Sequence, residues 1–173
     1  MEEFNEKLII CGKSGSGKDY LLIKLRAMGF KTSIKTTTRP QRTSETNGID
    51  YHFVTNKAFK DSEMVVEQTF NNHQNDEWFY GFERKEFNEK NVFIMTPGEV
   101  SQLDENIRKE CFVVYLNIDL ETRKNRLSDR EDINDSIQRR LDADEKDFSS
   151  FEDFDLSISD PQFEVEDIIS LMF

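Results

Sequence analysis

Cysteine is scarce: only Cys11 and Cys111 occur. A disulfide framework needs more, so a reducing cytoplasm is expected, with both thiols acting as small buried hydrophobes. Histidine is equally rare. His52 reads as a strand-surface residue and His73 as a loop residue, which leaves few groups for acid–base work. No apolar run approaches the roughly 20 residues that span a bilayer, and the acidic opening "MEEFNEK" has no apolar signal stretch. Cations are outnumbered, 23 Lys and Arg against 35 Asp and Glu, for a formal charge of -12. That excludes a general nucleic-acid binder, because nothing neutralises phosphates in bulk. It leaves room for a small anionic ligand in a local basic pocket. There is no repeat, no low-complexity tract and no linker rich in Pro or Gly. What is present suits one domain: 173 residues, 36% hydrophobic, with 15 Phe available for an aromatic core.

Short apolar runs alternate with helical patterns. "KLIICG" reads as a strand, followed by a Gly-rich loop and a helix in which Leu21, Leu22, Leu25 and Met28 recur until Gly29. Further strands are expected in "NVFIMT" (91–96), "CFVVYLNI" (111–118) and "DLSIS" (155–159). Helices are expected in "GEVSQLDENIRK", "DLETRKNRLSDR" and "INDSIQRRLDADEKDF", the last with Ile133, Ile137, Leu141 and Phe148 near one face. Such alternation predicts a parallel sheet covered on both faces. Residues 34–87 break the rhythm with "DYHFV", "EMVVEQTF" and the polar "NNHQNDE", which predicts an insertion with a small antiparallel sheet.

"GKSGSGKD", residues 12–19, matches a phosphate-binding loop except in its last letter. Gly12, Gly15 and Gly17 let backbone N–H groups approach an anion without a Cβ in the way. The following helix adds its positive end. Lys18 supplies a point charge for outer phosphates. Asp19 stands where Ser or Thr usually donates one oxygen to Mg²⁺, and a carboxylate is also a good hard ligand. Its plainer role would be to favour the helix N-terminus. Lys13, Ser14 and Ser16 complete the expected ATP loop.

A second anion site is expected in "TTTRPQRTSETNGIDYHFV", residues 36–54. Arg39 and Arg42 flank the stiff turn at Pro40 and suit a dianionic phosphate. Tyr51 adds a hydroxyl. Together with the loop, "TTRPQR" and "GIDYHFV" resemble the guanylate kinase family, whose motifs have this order and spacing. "VEQTF" and "WFYGF" resemble its Glu-containing strand and Tyr-Gly turn, "RLSDR…INDSIQRRL" its mobile lid, and "FDLSISD" its last core strand. The resemblance covers nearly the whole chain.

It implies a P-loop NTPase fold: three α/β/α layers on a parallel core sheet (1–33, 88–123 and 142–173), a nucleoside monophosphate-binding region (34–87) and a short lid (124–141). It implies that Gly12 to Asp19 hold ATP. Arg39, Arg42, Tyr51 and Tyr80 would bind the acceptor phosphate, and Glu67 would read the base. Lys18, Arg130 and Arg140 would act on the transferring group; Arg126 and Arg139 read equally well as solvated helix charges. Mg²⁺ is the implied cofactor, with small nucleotides as the partners.

Departures from the family fall in the base and metal sites. Lys35 and Phe82 replace Ser and Ser or Thr, and Ile94 and Thr96 stand at two acidic positions. Asp19 is read as a relocated metal carboxylate. Glu67 matches the N1–H and N2–H₂ donors of guanine, so GMP or dGMP is the first acceptor. A kinase of other (deoxy)nucleoside monophosphates, or an inactive phospho-ligand module, stay open.

Overall fold

The computed structural model describes residues 7–71, 76–129 and 137–172. Its centre is a parallel sheet in the order β6-β1-β7-β8. These strands are β1 (Lys7–Gly12), β6 (Val92–Ile94), β7 (Cys111–Leu116) and β8 (Leu156–Ile158). Unlike a half-solvated strand, β1 is buried on both faces, so alternate residues enter two cores. Leu8 and Ile10 join Val114, Leu116, Val92, Leu21 and Leu25 on one side. Ile9 and Cys11 join Val113, Tyr115, Phe93 and Phe82 on the other. Each such side chain contributes about 1.5–3 kcal/mol on full burial. The abundant Phe work on this second side. Tyr115 packs with Phe148, Phe151 and Phe154 at centroid distances of 5.3, 5.4 and 5.5 Å.

Helix α1 (Lys18–Ala27) buries Leu21 and Leu25, one turn apart. It stops at Gly29, whose φ of 94° is left-handed. Met28, expected in the apolar stripe, is the exposed C-cap instead. The remaining helices are α2 (Asn56–Asp61), α3 (Arg84–Glu89), α4 (Pro97–Val100), α5 (Glu105–Lys109), α6 (Leu120–Ser128), α7 (Ile137–Phe148) and α8 (Val165–Leu171). The single helix expected over "GEVSQLDENIRK" is two, α4 and α5. Asp104 starts the second by accepting from the N–H groups of Asn106 and Ile107, a cap that a continuous helix would forbid. Ile133 and His73 lie outside the described residues.

A second sheet, in the order β3-β2-β5-β4, is built from β2 (Thr36–Thr37), β3 (His52–Phe53), β4 (Met64–Asn71) and β5 (Glu77–Glu83). The β2–β5 and β5–β4 pairs are antiparallel and β2–β3 is parallel, so the sheet is mixed. It joins the core through rings: Phe82 meets Phe93 edge-on at 5.2 Å, and Phe87 of α3 meets Phe93 at 4.8 Å. Among the described residues no helix is long and apolar enough to cross a membrane.

Candidate functional site

The end of β1 runs directly into the loop of residues 12–17, at the carboxyl edge of the core sheet where α/β folds place ligands. Gly15 (φ 77°) and Gly17 (φ 102°) take left-handed conformations. A Cβ on Gly15 would meet the carbonyl of Arg123 at 2.8 Å, so the loop packs flat on α6. Two arginines of that helix hold it there. Arg126 donates to the carbonyls of Gly15, Ser16 and Pro161 at 3.2, 3.3 and 2.9 Å. Arg123, 2% exposed, donates to the loop carbonyl of Ser14 at 3.5 Å and is itself fixed by the carbonyl of Ile118 at 3.0 Å. With its carbonyls drawn toward α6, the loop turns N–H groups the other way. Arg126 is therefore a brace rather than a solvated charge, whereas Arg139 is exposed.

A cavity of about 180 Å³ opens on the loop, lined by Ser14 to Asp19 with Leu127 and Arg140. Ser14 to Asp19 and Arg140 are thus brought together, while Gly12 and Lys13 do not line this cavity. Arg130 lies outside the described residues. Lys18 folds back, its Nζ donating to the carbonyls of Gly12 and Lys13 at 2.6 and 3.1 Å. Burial pulls its ammonium below the usual lysine range, against the opposing pull of Asp19 and Asp144. One loop N–H already has an anion: Ser14 donates to Asp144 Oδ2 at 2.8 Å. Beside it, Lys13 pairs with Glu145 at 2.7 Å. Ser16 Oγ is buried with no hydrogen-bond partner among the described residues.

The second cradle forms on one face of the second sheet. Arg39, 6% exposed, lies over Tyr51 and Phe53, with its guanidinium carbon 5.3 and 5.5 Å from the ring centroids. Tyr51 meets Tyr80 edge-on at 6.0 Å. Glu45 grips Arg39 with both oxygens, at 2.7 and 3.0 Å, and accepts from the backbone N–H of Arg42 at 2.8 Å. Although burial opposes it, the Glu45 hydrogen bond, Tyr80 and the Glu45 charge hold the Arg39 guanidinium above its usual range. That same bond holds the Glu45 carboxyl below its usual range. Burial raises the Tyr51 hydroxyl, which stays a neutral donor. Arg39, Tyr51 and Tyr80 are brought together as expected. Arg42 stands beside them with an exposed side chain.

Glu67 is not brought to this face. It pairs opposite Gly81, whereas Gln68 pairs opposite Tyr80 and Val66 opposite Phe82. Directly opposed residues of an antiparallel pair share a face, so Glu67 is on the back. The cause is the pairing register, which shifts by a bulge between Met64 and Val66.

The altered family positions acquire partners. Lys35 pairs with Glu99 at 2.7 Å and lies 5.3 Å from the Phe82 centroid. Glu99 is fully buried, and its Oε2 also accepts from the N–H of Thr96 at 2.8 Å. Thr96 returns the contact as N-cap of α4, a capping box. The sequence reading missed Arg123, Asp144, Gln68 and Glu99. A capping signal in "TPGE" pointed to Glu99; the other three depend on contacts remote in sequence.

The guanylate kinase family model matches residues 5–171 of this chain. A guanylate kinase of Hydrogenovibrio crunogenus is 30% identical over 166 residues, covering 90% of this chain and 80% of that one. Another, from Nitrosomonas europaea, is 29% identical over 177 residues, covering 95% and 87%. The crystal structure of guanylate kinase from Anaplasma phagocytophilum shares the fold, with TM-score 0.63 over 96% of this chain and 82% of that one at 16% identity. An anion loop ending in a half-buried lysine and a separate arginine cradle are the two parts a phosphoryl transfer between nucleotides requires, and with these matches the chain belongs to the guanylate kinase family as a nucleoside monophosphate kinase.

Proposed function

We propose that this protein transfers the terminal phosphoryl group of ATP to GMP or dGMP. The observation that carries the reading is the pair of anion cradles, each gripping a carboxylate of the chain itself. Asp144 sits on the loop N–H of Ser14, and Glu45 on the Arg39 fork. A carboxylate presents two oxygens much as a phosphate edge does. The loop and Lys18 would take the donor phosphates. Arg39, Arg42, Tyr51 and Tyr80 in region 34–87 would take the acceptor monophosphate. Arg140, on the wall of the loop cavity, would offset charge on the moving group. A neighbouring hollow of about 610 Å³, bordered by Gly17, Tyr20, Arg126 and Phe163, would take the donor nucleoside.

Mg²⁺ fits this donor set. Asp19 is exposed in the first turn of α1 and borders the loop cavity. Among the described residues no three His, Cys, Asp or Glu converge on a metal position. A single carboxylate completed by phosphates and water is how proteins commonly hold Mg²⁺. Held beside Asp19, the ion would offset negative charge on the donor phosphates. The protein's own share is placement: holding both nucleotides in line lowers a barrier that needs little acid–base help.

An ADP-release assay with Mg-ATP and each common nucleoside monophosphate tests the reading. Turnover with GMP or dGMP is expected, and Lys18→Met should reduce it by about 100-fold or more, as loss of a group that meets developing charge does. No ADP release with any acceptor overturns it.

A further inference from the structure

The front face of the second sheet carries Thr37, Tyr80 and Phe82, opposite Phe53 on β3 and Gln68 and Val66 on β4. Contacts independent of the pairing agree with this placement. Val66, 1% exposed, packs in the same apolar cluster as Phe82 and Phe93. Phe70, two residues beyond Gln68, meets Tyr80 edge-on at 5.3 Å. On the back face, where Glu67 lies, Phe79 stacks on Phe59 of α2 at 5.6 Å. The register is also clamped from outside. Gln102 accepts from the N–H of Glu67 at 2.9 Å and donates to its carbonyl at 2.7 Å. A one-residue slip that would turn Glu67 forward breaks both bonds and drives Val66 out of the core.

Gln68 is half-buried, and its carboxamide has no hydrogen-bond partner among the described residues. Its Nε2 lies 3.4 Å from where a Cβ on Gly98 would stand, and Thr96 Oγ1 is 3.9 Å from the same point. The amide therefore reaches across to the start of α4, the helix that carries Glu99, the buried partner of Lys35. Phe82, 1% exposed, lies under Lys35, with its ring centroid 5.3 Å from Lys35 Nζ.

We propose that Gln68, and not Glu67, reads the acceptor base, and that the site accepts 6-oxo and 6-amino purine monophosphates alike. The inference rests on the kinase reading above. A carboxylate offers two acceptors, which select guanine by its N1–H and N2–H₂ donors. A carboxamide offers one acceptor beside one donor. On guanine that pair matches N1–H and O6, so the 2-amino group goes unread. Hypoxanthine presents the same N1–H and O6. Adenine presents N6–H and N1, the same pair reversed, which the amide meets by turning over about its last torsion. Mispairing, the usual source of strong base discrimination, is thereby removed.

The test compares GMP, IMP and AMP, by kcat/KM and by calorimetric binding of each monophosphate, for the wild type, Gln68→Glu, Gln68→Ala and Glu67→Gln. Wild type should handle GMP and IMP within about threefold. Gln68→Glu should raise the preference for GMP over both others by about tenfold or more, the cost of one mispaired hydrogen bond in a dry site. Gln68→Ala should weaken all three, and Glu67→Gln should leave their order unchanged. Rescue of AMP relative to Ala by Gln68→Asn separates base reading from a packing effect. A wild type that prefers GMP over IMP by about 100-fold, with the preference erased by Glu67→Gln, overturns the assignment. So does Gln68→Ala with unchanged acceptor affinities. Absence of turnover with every acceptor sinks the kinase reading instead, and the binding order then decides between Gln68 and Glu67.

Discussion

If the loop takes a donor phosphate as proposed, Asp144 occupies the place that phosphate needs, and removing it should tighten nucleotide binding. Its Oδ2 accepts from Ser14 N–H at 2.8 Å inside the anion loop. A hydrogen bond of this kind, with one charged partner, contributes about 1.5–3 kcal/mol. Incoming ATP must break it and bring its own charge near the displaced carboxylate. Asp144→Ala removes both costs, and since about 1.4 kcal/mol is tenfold, affinity for Mg-ATP or ADP should rise about 10- to 100-fold. Asp144→Asn keeps an acceptor but not the charge, so its gain should be smaller, about fivefold. Stability without nucleotide should move the other way. Arg123 is 2% exposed and has Asp144 at 3.8 Å and Glu145 at 3.7 Å. Losing one of two distant counter-charges should cost about 1–2 kcal/mol. Titration calorimetry for the nucleotide, with melting curves run with and without it, reads both signs. A folded Asp144→Ala protein whose nucleotide affinity is unchanged or weaker refutes the argument.

Arg39→Ala should raise KM for the acceptor about 10- to 100-fold while ATP binding changes little, because the lost fork is worth about 1.5–3 kcal/mol; an equal loss at both substrates would contradict separate cradles. Glu45 should give an acid signature. Arg39 holds its folded pKa below the ordinary 4.5, so its contribution is full above that pH and is lost as pH falls through the depressed value. Denaturant midpoints should therefore drop below about pH 4.5, and less so in Glu45→Gln. Burial pushes the Cys11 and Cys111 thiols up to about 12 and about 11, from an ordinary 9.0. The unfolded chain thus loses those protons first, and stability should fall as pH rises above 9.0. At neutral pH neither thiol should react with a disulfide reagent until the protein is unfolded; rapid labelling of the native protein would contradict their burial.

Local pattern carried the loop and its flanks. The unbroken apolar run "LIIC" serves a strand covered on both sides, the glycines permit the turn, and Leu21 and Leu25 seat the helix. Arg39 and Tyr51 were legible as partners because the "NGID" turn brings the chain back within about a dozen residues. Asp144 was not, because nothing near residue 144 indicates that its helix returns to a loop 130 positions earlier. Glu67 shows the limit most sharply. Alternation groups Val66 with Gln68 and sets Glu67 apart, and any reader of the sequence sees that much. Which group meets the ligand depends on the strand opposite, on the bulge before Val66 and on the clamp from Gln102. A shift of one residue reverses every side chain, and only contacts between distant segments can fix it.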